Sequence, residues 1–344
     1  MGSAGRIKWL DSCKGFAIIL VVLGHMEMGM RSSGSFLENL GALSALERGI
    51  YSFHMPLFWM LAGYTFYLAY CKRREEKAKS FKKQLINTAY VYFLFSALQW
   101  AMQYVASDYT NTKVTVGDLL LIPIRPMSPF WFTFVLFFYY IIFYFFVRLK
   151  LPEYGKILIV AAVSALGNYF DPDIPFPVRL LLIHMLFFYL GILFARSGKM
   201  IADSNAAFIV LTVSGAALLL TQILFEVPDI PVVKDLIFPT VIALAFFNLF
   251  YKVSSLGRFR PLCYVGSRSL ELYVIHCMLT SAMRSVLVKL GADSCAVVLL
   301  AGTFVGVAAP ILWAFLIRRL KLYDLFFCPV NLFSKKQNNK NPSL

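Results

Sequence analysis

Three ionisable residues lie in the first long apolar stretch of the chain, where they cost free energy unless they have a partner or a task. His25 follows Lys14 by eleven residues, and Asp11 precedes Lys14 by three. At about 3.6 residues per helical turn, His25 lies only about 20° around a helix from Lys14 and about 16 Å along it, with Asp11 on the same face. An imidazole can act as a general base, and a lysine can hold a phosphate. The alternative is an Asp11–Lys14 pair that marks the membrane edge, together with a packed, neutral His25.

The composition excludes a soluble protein. Of 344 residues, 59% are hydrophobic and only 15% are charged, and the mean hydropathy is +0.70. We therefore expect an all-α, polytopic membrane protein. The net charge of +15 would suggest nucleic acid as a partner in a soluble chain. Here the basic residues lie in short loops, so we expect no nucleic acid and interpret the charge as a topology signal.

Apolar segments of about 20 residues predict ten spans. We place them at 12–30, 50–71, 84–105, 129–147, 157–170, 179–195, 206–225, 235–251, 269–290 and 296–317. Pro310 is expected to kink or unwind the tenth. Basic residues fall on one side at every turn, including the loop 72–83 and Arg258, while acids such as Asp108 and Asp171 fall on the other. Both termini are therefore predicted to be cytoplasmic. Residues 1–321 would form the transmembrane domain, with 322–344 a cytoplasmic tail that frays.

Other features limit the range of functions. The basic N-terminus precedes no small-residue cleavage site, so we interpret it as an uncleaved first span. The six cysteines show no paired spacing, and we expect free thiols and no metal site. Absence of a clear internal repeat weakens transporter interpretations.

The remaining histidines also lie in or near predicted spans. His54 and His184 are expected near the outer ends of the second and sixth spans, and His276 within the ninth. Each has a structural alternative, as an interfacial, rim or core histidine satisfied by hydrogen bonds. Glu271 is expected to pair with a basic neighbour such as Arg268 or with a polar group, and a functional role stays open.

Five stretches together resemble one family. They are the Asp11, Lys14 and His25 pattern, Phe53–Phe66 (F-H-M-P-L-F…G-Y-T-F), Phe130–Phe132 (F-W-F), Phe187–Gly191, and Tyr264–His276 with its G-S-R-S-L-E-L-Y-V-I-H ending. In this order they resemble the acyltransferase-3 family of integral membrane acyltransferases, from residue 6 to about residue 320.

The resemblance implies ten core helices, an acyl-CoA donor on the cytoplasmic side, usually acetyl-CoA, and a hydroxyl acceptor. The acceptor is commonly a sugar of a surface polysaccharide or its lipid-linked precursor. His25 would match the essential first-span histidine and Lys14 its basic partner. Many members carry an Arg-x-x-Arg pair after the second span, whereas this chain has Lys82 and Lys83 there. Which cations hold the CoA phosphates therefore stays open. Some members carry a fused hydrolase-like domain, which this chain lacks, so we expect it to act alone or with a partner.

We therefore predict a multi-pass O-acyltransferase of a bacterial inner membrane that uses acyl-CoA as co-substrate and binds no resident cofactor. His25 would be the general base, or would carry the acyl group; Lys14 would orient the donor and Asp11 would hold Lys14. Lys14, Lys82 and Lys83 are the donor-binding candidates. On the acceptor side the candidates are His54, Trp131, Arg179, His276 and Glu271. The rival is a secondary transporter or flippase, which would move a solute without consuming acyl-CoA; a scaffold would leave the buried charges unexplained.

Overall fold

The computed structural model describes residues 7–34, 36–71, 78–107, 113–253 and 259–332, and every regular element in those ranges is helical. The all-α prediction is therefore confirmed. The α-helices in chain order are α1 Lys8–Ser32, α2 Leu40–Tyr51, α3 His54–Phe66, α4 Ala78–Val105, α5 Val116–Leu121, α6 Trp131–Phe146, α7 Glu153–Tyr169, α8 Phe176–Ile183, α9 Met185–Ser197, α10 Asn205–Leu224, α11 Phe238–Val253, α12 Arg260–Gly266, α13 Ser269–Lys289, α14 Cys295–Arg319 and α15 Tyr323–Phe327. Helix α3 continues as a π-helical turn, Tyr67–Cys71, and a second π-helical turn, Val233–Ile237, leads into α11.

Each of the ten predicted spans has a helix at its position. Six helical segments within the described residues are long and apolar enough to cross a membrane: Lys8–Ser32, Phe176–Ser197, Asn205–Leu224, Val233–Val253, Ser269–Lys289 and Cys295–Arg319. Helix α6 is apolar but shorter. Ten spans and cytoplasmic termini stay predictions. The basic residues 72–77, Arg258 and Asp108, on which the orientation partly rests, lie outside the described residues.

Two predicted spans differ in detail from the structure. The sixth is broken at His184, whose backbone (φ −105°, ψ 1°) separates α8 from α9. The tenth is helical without interruption through Pro310, so local unwinding, one of the two expected effects, is wrong, and a kink stays a prediction. A proline ring crowds the carbonyl four residues earlier, and here that residue is Gly306, which packs closely against Val22 of α1 and Thr280 of α13.

Helix α1 lies at the centre of the bundle. It packs against α2, α3, α11, α12, α13 and α14, and no residue from Trp9 to Arg31 is exposed. Its closest neighbour is α12, because glycines bring the two backbones together. A Cβ on Gly15 would lie 2.1 Å from the carbonyl oxygen of Leu262, and one on Gly266 would lie 1.8 Å from that of Asp11. The helix that carries the candidate chemistry is thus fixed from several sides.

Helices α3 and α9 form a second glycine-mediated contact. A Cβ on Gly63 would lie 1.9 Å from the oxygen of Phe188, and one on Gly191 would lie 2.0 Å from that of Met60. The glycines are therefore required on both sides of this interface. The contact places the His54 helix beside the helix that follows His184.

The first part of the predicted tail packs onto the bundle. Tyr90 of α4 donates a hydrogen bond to the Leu325 carbonyl at 2.7 Å, and Phe327 is only 2% exposed. Burial also raises the pKa of the Cys328 thiol, with Asp324 adding to the effect. Fraying was therefore the wrong expectation for 323–332, because aromatic side chains anchor this segment; residues 333–344 lie outside the described residues.

Candidate functional site

The site starts from α1, which carries Asp11, Lys14 and His25. All three are half-buried, while their neighbours Ser12, Cys13 and Gly24 are buried. The end of the bundle that carries Lys14 is called the Lys14 end below, and the opposite half the His25 half. Because α1 is one continuous helix, the separation of about 16 Å between Lys14 and His25 follows from its rise of about 1.5 Å per residue.

His25 faces His276 of α13. The two ring centroids lie 5.1 Å apart with the planes inclined by 55°, and His276 is fully buried. The fold thus brings together two candidates that are 251 positions apart in the chain. Two imidazoles this close, one buried and one half-buried, can hold and pass one proton, which is the requirement for general base catalysis.

Backbone carbonyls orient two of the histidines. His276 Nδ1 lies 2.8 Å from the Tyr273 oxygen and 3.1 Å from that of Leu272, and His54 Nδ1 lies 2.7 Å from that of Ile50. A carbonyl only accepts hydrogen bonds, so in both rings Nδ1 carries the hydrogen. In the neutral rings Nε2 is therefore the nitrogen with the lone pair.

Two further residues complete this group, and the sequence analysis did not select them. Tyr51 packs edge-on against His54 with ring centroids 4.8 Å apart, and a Cβ on Gly24 would lie 3.1 Å from the Tyr51 ring. Cys277 Sγ lies 3.3 Å from His276 Nε2. The His-Cys dipeptide was visible in the sequence, and Tyr51 lies at the start of the predicted second span, where nothing in the local pattern marked it as a partner of His54. We call His25, Tyr51, His54, His276 and Cys277 the histidine cluster.

Part of the histidine cluster has a composition that metals favour. One ligand atom from each of His25, His276 and Cys277 lies within 4.8 Å of the others. Around one zinc ion such atoms would lie roughly 3.5 Å apart, so the three side chains would have to move closer to bind it. The Nδ1 contacts of His276 are of the kind that orient metal-binding histidines. The expectation of no metal site rested on cysteine spacing, which cannot detect ligands brought together from distant helices.

An aromatic cluster lies beside the histidine cluster. His184 stacks on Trp59 (centroids 5.7 Å apart, 26°) and on Trp131 (5.4 Å, 28°), and it also lies within electrostatic range of Arg179 and His54. His54 is similarly close to His25. The four histidines of the chain therefore lie in one region of the bundle as a series in the order His276, His25, His54 and His184.

Arg179 lies at the edge of this series. Its guanidinium is 2.6 Å from Asp171 and rests over the Phe176 ring at 5.6 Å. Both Arg179 and Asp171 are partly exposed. Arg179 is thus close to His184 but is paired with a carboxylate near the bundle surface.

Tyr273 connects three of the stretches that carry the family resemblance. Its hydroxyl donates to the Pro129 carbonyl at 2.8 Å, and its ring packs against Phe130 and Phe132. Phe132 in turn lies 4.3 Å, centroid to centroid, from Trp59. The stretches 53–66, 130–132 and 264–276 therefore meet around one aromatic core that holds His276 in place.

Glu271 does not belong to the acceptor-side group in space. It is buried at the start of α13, at the Lys14 end, and forms an ion pair with Arg318. Arg268, the neighbour that the sequence favoured, packs over Tyr264 at 3.9 Å. Burial, with Glu271 close by, raises the pKa of Tyr323 to about 12, so this phenol stays protonated beside the pair. The true partner could not be found from local spacing, because Arg318 is 47 positions away.

The two lysines predicted to bind the donor differ in their surroundings. Lys82 is exposed. Lys83 is half-buried and donates a hydrogen bond to Asn331, whose amide donates to Asp324 at 2.8 Å. Lys83 thus holds the segment after α15, and Lys82 is the lysine of the two that faces solvent.

Charged residues extend the site beyond His25. Glu27 is fully buried and lies 3.3 Å from Arg31, which also pairs with Glu47. Arg284 is buried against α1, so that a Cβ on Gly29 would lie 2.3 Å from its guanidinium. The sequence analysis selected neither Arg284 nor Glu27 as a site residue. Glu27 pairs with Arg31, one turn away on its own helix.

Comparison with known proteins indicates the class of reaction. No curated protein and no solved structure matches the chain. The sequence profile of a family described as an acyltransferase domain matches residues 7–319, which is essentially the whole helical bundle, and together with the apolar helices it indicates an integral, multi-pass membrane acyltransferase. The chain therefore belongs to the acyltransferase-3 family.

Proposed function

We propose that the protein is an O-acyltransferase that moves an acyl group, acetyl in the first instance, from acyl-CoA to a hydroxyl of a cell-surface glycan or its lipid-linked precursor. The observation that carries the proposal is the contact inside the bundle between His25, on the helix that also carries Lys14, and His276 of α13. A half-buried imidazole beside a second, oriented imidazole is suited to remove a hydroxyl proton. Family membership supplies the reaction class.

The reaction needs one base and no redox step. The acceptor hydroxyl oxygen attacks the thioester carbonyl while a ring nitrogen of His25 takes its proton. The tetrahedral intermediate then expels the CoA thiolate, which takes the proton back from His25, so an ester and free CoA result. In a variant of this route the His25 nitrogen attacks first and carries the acyl group before the hydroxyl does.

The two ends of α1 fit the two substrates. Lys14, with Asp11 three residues before it, holds or orients the nucleotide part of acyl-CoA, and the extended pantetheine arm carries the thioester toward His25. Lys82 is available for the same phosphates because it is exposed. On the other side His54, Trp131, His184 and Arg179 form an acceptor region, where an indole such as Trp131 offers a flat face to a sugar ring. The membrane we propose is the bacterial inner membrane, with the Lys14 end toward the cytoplasm.

The first test is acyl transfer from radiolabelled acetyl-CoA in inverted membrane vesicles, comparing wild type with His25→Gln at matched amounts of monodisperse protein. A positioned general base contributes about 10²–10⁴-fold, so we expect the variant to lose at least 100-fold. Glutamine keeps hydrogen-bonding capacity while it removes the proton acceptor. Transfer by His25→Gln at one third of the wild-type rate or more would contradict the role of His25.

Cys277→Ala distinguishes a base from a metal centre. Without a metal role, this variant keeps activity within about threefold of wild type, since the thiol takes no part in the proposed steps. Loss of activity together with loss of protein-bound zinc would instead assign the cluster to a metal. If no acyl donor is consumed while a solute crosses the vesicle membrane in a His25-dependent way, the transporter alternative replaces our proposal.

A further inference from the structure

A cavity at the Lys14 end contains an excess of positive charge that the acyl-transfer steps do not use. Its volume is about 330 Å³, and Tyr67, Leu149 and three cations, Arg148, Lys156 and Arg196, line it. Tyr64, one turn before Tyr67, packs against Trp9 of α1, which places the cavity at the same end of the bundle as Lys14. We call it the basic cavity.

One carboxylate faces two of the three cations. Glu153 accepts hydrogen bonds from Lys156 at 3.2 Å, from Arg196, and from the Tyr189 hydroxyl at 3.1 Å. The Lys156 side chain is only 2% exposed. A buried ammonium is costly unless its charge is balanced, and Glu153 balances one of the three charges. Two positive charges remain at the wall of the basic cavity.

Many hydrogen-bond donors of these cations are still available. Lys156 has three N–H donors and each arginine five. In the structure Lys156 also donates to the Val147 carbonyl at 3.3 Å, and Arg148 donates to the Tyr144 carbonyl while lying over the Tyr144 ring at 3.6 Å. These contacts fix the side chains but use a minority of the donors. Oriented guanidinium and ammonium groups with spare donors are the groups that bind phosphate.

We propose that the basic cavity binds a phosphate group carried on an organic molecule. The cations hold the phosphate, and Tyr67, Leu149 and Leu151 contact the organic part. This proposal does not depend on the role of His25. The same chemistry has two possible sources, the head group of an anionic phospholipid and a soluble nucleotide such as the bisphosphate part of CoA.

The test measures how much each probe raises the melting temperature of the purified full-length protein. A ligand that binds the folded state stabilises it by RT ln(1 + [L]/Kd). One arm titrates adenosine 3′,5′-bisphosphate into protein in neutral detergent. The other compares nanodiscs of phosphatidylcholine with nanodiscs that also contain phosphatidylglycerol. A rise in the first arm alone identifies a soluble phosphate, and a rise in the second alone identifies a lipid head group.

Three variants assign the effect to the basic cavity. Arg196→Gln removes a cation, so the ligand-induced rise should fall to less than one third of the wild-type value. Glu153→Gln removes the competing carboxylate, so the ligand-induced rise in melting temperature should increase. If Glu153 and Arg196 had only a structural role, the rise would be smaller in both variants. Lys150→Gln is the matched control, because Lys150 is an exposed cation two residues from Arg148. The proposal is overturned if neither probe stabilises the wild type, or if Arg196→Gln responds as the wild type does.

Discussion

Glu271 and Arg318 form an ion pair whose two members differ in exposure. The Glu271 side chain is 3% exposed, and that of Arg318 is 44% exposed and also lies over the Tyr323 ring at 3.8 Å. Without its partner the carboxylate would be a buried, uncompensated charge, whereas the guanidinium would still reach solvent and the ring. Removing Arg318 should therefore cost more folding free energy than removing Glu271.

We expect Arg318→Gln to destabilise the protein more than Glu271→Gln does. Breaking a fully buried pair costs about 3–5 kcal/mol, and the partial exposure of Arg318 makes the loss smaller here. Thermal unfolding of both variants in the same detergent gives the order, and Arg319→Gln is the control because Arg319 is a neighbouring exposed cation. Equal melting temperatures for Arg318→Gln and Arg319→Gln would mean that the pair does not stabilise the fold.

Sequence spacing identified single site residues well and their partners poorly. Asp11, Lys14 and His25 share one helix as predicted, because a helix repeats about every 3.6 residues. The partners His276, Arg318 and Tyr51 come from other helices, and no local period reports which helices pack together. Glu271 was misplaced for the same reason. Acceptor and donor assignments stay predictions until activity is measured.

Close contact between helices is concentrated at glycines. Helices α3 and α9 touch backbone to backbone at Gly63 and Gly191, and this contact places His54 relative to His184. The sequence predicted both helices, but it contained no signal that these two glycines face each other. The sequence did not reveal the helix break at His184, because the segments on both sides of it are apolar and together have the length of one span.

Gly63→Ala should lower the melting temperature, because the new methyl group would overlap the Phe188 backbone. Overpacking of this kind costs about 1–3 kcal/mol. Gly41→Ala is the matched control, since Gly41 is also helical and a Cβ there would meet no atom within 4 Å. An unchanged melting temperature for Gly63→Ala would contradict the close approach of α3 and α9.

At the scale of the whole molecule, several basic residues at or near the turns lie at one end of the bundle. Arg148, Lys156 and Arg196 line the same cavity, and Arg318 reaches Glu271 at the Lys14 end. The positive-inside rule predicts that this end faces the cytoplasm. Three long helices, α10, α11 and α13, separate the loop after α9 from the loop before α14. These two loops should therefore lie on opposite sides of the membrane.

Thiol labelling tests this orientation. An impermeant maleimide should label Asp293→Cys in intact cells above the wild-type background, and should label Lys199→Cys only after permeabilisation. Both positions are exposed, so their labelling depends on the side of the membrane on which they lie and not on burial. The reverse pattern would invert the orientation, and labelling of both in intact cells would contradict three crossings between them.

The central position of α1 has a consequence for how the protein is made. Its neighbours α12, α13 and α14 begin about 230 to 260 residues after α1 ends, which at about 5–20 residues per second corresponds to roughly 10–50 s of synthesis. During that interval Lys14, His25 and Glu27 have left the ribosome while the helices that enclose them do not yet exist. Charged groups in lipid are costly. Until the later helices are made, α1 must therefore be shielded from lipid by the insertion machinery or by early helices such as α2 and α3. The last helices to emerge close the bundle around the first, and the histidine cluster is completed only at the end of biogenesis.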